Sequence, residues 1–155
     1  MIKNEFFDVV NYAICSAVHE YMGDRSPEFF RAVGELHLEE ALKRGLVNFQ
    51  AEDTPLERLI KVARYLEACG YMGEIVIERL SDTEAIVEMH GVSVAGSSAQ
   101  LVQEGRVPSH YMTNMMFAAL KRLSIRADLQ DMEFDAKAAR FKEYWKILSP
   151  AGPDV

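Results

Sequence analysis

Cysteine, tryptophan and long apolar runs are all scarce in this chain of 155 residues, which holds two cysteines and a single tryptophan. Cys15 and Cys69 lie in separate helical patterns without CxxC spacing, which excludes a disulfide framework and a zinc knuckle and leaves both as expected buried free thiols. No apolar run reaches the roughly 18 residues of a membrane-spanning helix. The opening MIKNEFFD lacks the basic start of a secretory signal, so the expected location is cytoplasmic, with no transmembrane segment. A basic excess is missing too: 17 Lys and Arg against 24 Asp and Glu give a net charge of -7, the wrong sign for phosphate neutralisation, so nucleic acid is not an expected partner.

What remains is ordinary globular material. Apolar residues make up 49% and charged residues 26%, and a chain of this length buries roughly 70% of its unfolded surface. NEFFDVVNYAICSAVHEYMG places Phe6, Val10, Ala13, Ile14, Ala17, Val18 and Tyr21 at helical spacing and stops at Gly23. Ser26-Pro27 predicts a cap and first turn for a second helix carrying Phe29, Phe30, Val33, Leu36, Ala41 and Leu42 to Gly45. Thr54-Pro55-Leu56-Glu57 is a capping box before a third helix that closes at Gly70.

The period then changes. EIVIERLS and EAIVEMHGV, separated by a short turn, predict a hairpin. SVAGSSAQLVQEGRVP is small and polar, with room for one short helix from Ser97, and is expected as a flexible connection that acts as a lid. VPSHYMTNMMFAALKRL predicts a methionine-rich helix capped by Ser109, and SIRADLQDMEF with ARFKEYWKIL predicts a second hairpin. The expected fold class is α+β: N-terminal helices, then a four-stranded antiparallel sheet interrupted by the methionine-rich helix. Residues 1–148 are expected as one ligand-binding-type domain, with 149–155 a flexible tail.

Catalytic constellations are thin. His19, His37, His90 and His110 form no close metal pair, and Glu35, Glu39 and Glu40 beside His37 read as a solvated face. Ser109-His110 lacks nucleophile geometry, and GVSVAGSSAQ lacks phosphate-loop spacing. The methionine helix has two apolar faces: one for the sheet, the other for a ligand, a second subunit or simple core filling.

The helices FFRAVGELHLEEALKRG and LERLIKVARYLEACGY, the hairpin GEIVIERLSDTEAIVEMHG and the helix HYMTNMMFAALKRL before a closing hairpin resemble the 4-vinyl reductase, or hydrocarbon-binding, domains. Those are relatives in fold of TRAPP trafficking subunits and haem nitric-oxide sensor domains. The resemblance implies an apolar cavity for a small hydrophobic molecule, and pairing of domains. Ser109 stands where such domains often carry cysteine, the last turn reads FDAKAARF, and the Tyr-x-Ser-x-Arg haem-propionate motif is absent, so no metal or haem role carries over.

The expected function is a sensor or carrier holding a hydrophobic ligand against Met112, Met115, Met116 and Phe117, with His110 and Tyr111 orienting it. A homodimer through the amphipathic first helix fits the same reading. The alternatives are a dimeric scaffold with a filled core, and an enzyme using His110 on a hydrophobic substrate. The sequence points to no particular cofactor.

Overall fold

The computed structural model describes residues 2–148; the expected tail, 149–155, lies outside them. Helix α1 (Asn4–Met22) ends at Gly23, whose φ of 53° suits a residue without Cβ. A single turn of tighter helix, Gly23–Arg25, leads into α2 (Ser26–Lys43). Ser26 is not the cap that its type suggests. It already lies in the helix, and its hydroxyl donates to the Gly23 carbonyl at 2.6 Å, pinning the α1–α2 corner. Helix α3 (Pro55–Ala68) begins as expected: the Glu57 N–H donates to Thr54 Oγ1, and the Thr54 N–H donates to Glu57 Oε2 at 2.7 Å.

Strands β1 (Glu74–Arg79), β2 (Glu84–His90), β3 (Arg126–Asp135) and β4 (Arg140–Leu148) form an antiparallel sheet in the order β1-β2-β4-β3. The expected α+β class holds. Each hairpin closes on itself, and β4 joins them by pairing with β2, with Val87 opposite Glu143 and Ala85 opposite Trp145. One face is buried: Ile75 on β1, Val87 and Met89 on β2, Phe141, Glu143 and Trp145 on β4.

The segment expected as a flexible lid is instead helix α4 (Ala95–Gln103), with Ser97, Ser98 and Leu101 buried. Its small residues allow close approach to α1. The Ser97 N–H donates to Asp8 Oδ1 at 2.9 Å, Asn11 Nδ2 donates to Ser97 Oγ at 2.7 Å, and the Tyr12 hydroxyl donates to Glu104.

Helix α5 (Tyr111–Lys121) is the methionine helix, and both its faces are covered from within the chain. One packs into the core beneath the sheet and α3; the other meets α2. The α2 contact is so close that a Cβ on Gly34 would stand 2.6 Å from the Asn114 carbonyl carbon. Burial on α2 follows Phe30, Gly34, Leu38 and Ala41. Phe29 and Leu36, expected on that buried stripe, are exposed, Leu36 at 65%. Cys15 is buried as expected, whereas Cys69, at the end of α3, is exposed.

Candidate functional site

The first turn of α5 departs from the expected capping. Its N-cap is His110, at φ 46° and ψ 39°, a left-handed conformation that is uncommon for a residue with a Cβ. Ser109, the expected cap, donates instead to Asn11 Oδ1 at 3.0 Å, while its carbonyl accepts from Asn114 Nδ2. Asn11 is fully buried and ties α1 to both α4 and this loop. Cys15 hydrogen-bonds to the same Asn11 oxygen, and burial pushes its thiol above the ordinary value, away from reactivity.

Beside His110 lies a cavity of about 30 Å³, bordered by the apolar Met89, Val92, Val94 and Phe141 and by the polar Ser98, Ser109, Tyr111, Thr113 and Glu143. Glu143 is 1% exposed. Thr113 Oγ1 donates to its Oε1 at 2.6 Å, and the indole N–H of Trp145 donates to Oε2 at 2.8 Å. His110 Nδ1 stands 4.0 Å from Oε1. Burial drives the Glu143 carboxyl above the usual carboxylate range, against the pull of both donated hydrogen bonds, and drives His110 below the usual imidazole value. Both environments therefore favour the uncharged form.

The sign of the pH effect follows. A carboxyl that holds its proton more tightly in the folded chain contributes stability that is fully present below its unfolded value of 4.5 and is lost as pH rises through its folded value. Glu143→Gln keeps the shape, can accept from Trp145 and can donate to Thr113, and it cannot ionise. Urea unfolding over a pH series is expected to show the variant gaining on the wild type as pH climbs from 4.5. A difference independent of pH would contradict the raised carboxyl.

Two larger spaces adjoin. A groove of about 480 Å³ runs between the first three helices, framed by Phe7, Val33, Leu36 and Leu66 and bordered by Tyr71 and Tyr111. His37 stands at its edge, hydrogen-bonded to the Tyr65 hydroxyl at 2.9 Å. The same Tyr71 and Tyr111 also border the small cavity. Burial raises both phenols, Tyr111 to about 12. A cleft of about 820 Å³ opens on the other side of His110, between α2, α5 and β3, and carries charged residues such as Arg31, Glu35 and Lys121.

The six residues singled out in the sequence therefore separate. His110, Tyr111 and Met112 border the cavity; Phe117 borders the cleft and packs edge-on to Trp145, ring centroids 4.7 Å apart. Met115 and Met116 are 0% exposed and border none of the three spaces. Glu143, Thr113 and Tyr71 were missed. The signal for Glu143 was Phe141-Glu143-Trp145, a period-2 run that sets a glutamate on the face of two large aromatics.

No family model and no curated protein matches the chain. Solved structures do. A trafficking protein particle complex subunit 3 from Naegleria fowleri, covalently bound to palmitic acid, superposes with a TM-score of 0.63 over 95% of this chain and 96% of its own, at 8% identity. A protein of the H-NOX family, solved in work on haem distortion, superposes with a TM-score of 0.54 over 92% of this chain and 71% of its own, at 11% identity. The chain shares their fold. At such identities the likeness extends to architecture alone. Among the described residues no helix is long and apolar enough to cross a membrane.

Proposed function

We propose that the protein is a cytoplasmic module, similar to the 4-vinyl reductase domains, that holds a hydrophobic small molecule as a sensor or carrier. The observation that carries this reading is the groove of about 480 Å³ between the first three helices, whose apolar walls end on two tyrosines. Binding sites of this size combine an apolar lining with a few polar groups that fix orientation. Palmitic acid on the trafficking subunit and haem in the H-NOX work are consistent with a fold that accommodates apolar ligands. In this proposal Tyr111 meets the ligand in the groove, and His110 and Met112 meet it where the small cavity adjoins; Met115 and Met116 stay in the core, and Phe117 borders the cleft.

Pairing with a second copy belongs to the same proposal. On α1 the residues turned outward include Phe6, Val9 and Tyr21, exposed at 62%, 68% and 88%, an apolar stripe that a second copy would cover. The rival reading, a scaffold with a filled core, draws on the complete burial of Met115 and Met116.

Native mass spectrometry separates the two. The expected result is a dimer mass carrying a stoichiometric apolar adduct that is released on denaturation. Val33→Trp, which fills the groove, is expected to remove the adduct and leave a folded protein. A clean apo mass, with no thermal shift across apolar ligands, would favour the scaffold.

A further inference from the structure

We propose that the polar end of the ligand is a single uncharged hydroxyl seated beside Glu143 in the small cavity, with its hydrocarbon chain lying in the groove between the first three helices. The inference rests on the binding reading above and names the ligand's chemical class.

Size sets the first limit. A cavity of about 30 Å³ takes one or two groups the size of water, so a hydroxyl fits and a phosphate or sugar does not. Charge sets the second. None of the described residues bordering the cavity is lysine or arginine, and the titratable groups facing Glu143 there are His110, Tyr71 and Tyr111. An anionic head would thus meet a buried carboxyl and no counter-charge. A cationic head would need Glu143 ionised, in a place where burial opposes ionisation. Hydrogen bonding sets the third. A hydroxyl gives one hydrogen bond and accepts others, and Ser98, Ser109 and His110 offer both kinds of partner at this spot. Adjacency sets the fourth: Tyr71 and Tyr111 border both spaces, so a ligand with its head in one and its chain in the other would run past those two side chains.

Trp145, the only tryptophan in the chain, donates to Glu143 and supplies an intrinsic fluorescence probe at the head-group position. Titration of the full chain with n-decanol, n-decanoate and n-decylamine tests the proposal. The alcohol is expected to bind about tenfold tighter than the carboxylate and tighter than the amine, given the cost of burying a charge without a partner. In Glu143→Gln, likewise uncharged, the same order is expected, since the want of a counter-charge is unchanged. Equal affinities, or tightest binding by the carboxylate or the amine, would overturn the hydroxyl assignment while leaving the binding reading standing. Failure of all three probes to bind would remove the binding reading and this inference with it. The ranking in the wild type stands by itself should Glu143→Gln fold poorly.

Discussion

Gly34→Ala lowers the unfolding free energy by about 3 kcal/mol, the upper part of the range for overpacking. Helix propensity alone argues the opposite sign, since alanine gains about 1 kcal/mol over glycine in a helix interior. Sterics decide. The added methyl would lie 2.6 Å from the Asn114 carbonyl carbon and 2.9 Å from its oxygen, and backbone atoms cannot swing aside as a flexible side chain does. Relief requires α2 and α5 to move apart, which opens the face of α5 that Phe30, Leu38 and Ala41 help to cover. Equilibrium unfolding in urea measures the effect. A gain in stability would mean that the two helices separate at little cost.

Trp145→Ala costs about 4 kcal/mol, as expected for emptying a buried aromatic site. The indole is 2% exposed, packs against Phe117 and is the donor to Glu143 Oε2. Trp145→Phe divides the loss, because it retains most of the packing and removes only the N–H, with an expected cost of about 2 kcal/mol for the unsatisfied carboxyl oxygen. If the phenylalanine variant were as stable as the wild type, the Trp145–Glu143 hydrogen bond would contribute nothing to folding.

Local signals in the sequence were legible because each one contained both of its partners. Thr54 and Glu57 cap one another across a single turn, and the hairpin of β1 and β2 pairs within one short segment. Features whose partner lies far along the chain were not. Ser109 has the chemistry of a cap, yet its hydroxyl is taken by Asn11, 98 positions away. Gly34 shows as an unremarked glycine in a helical pattern until Asn114 is known to press on it. Small residues from Ala95 to Ser98 read as loop composition, although their size is what lets α4 lie against Asp8 and Asn11. The methionine stripe was legible as apolar, but what each of its faces would meet depended on where α2 settled. Of the site itself, His110 and Tyr111 stood out from sequence, whereas Glu143 gained meaning only when its strand was seen to turn that side inward, against Thr113 of α5.

The sheet order carries a consequence for how the chain is made. Among the described strands β4 emerges last from the ribosome, yet it occupies an interior position between β2 and β3. Until Arg140–Leu148 arrives, β2 presents an open edge and the helices already synthesised have only half a sheet to cover, a state in which unpaired strands and apolar surface invite association with other chains. Glu143 and Trp145 therefore reach the nascent protein together with the strand that closes it, so the small cavity is completed in the same step that joins the two hairpins.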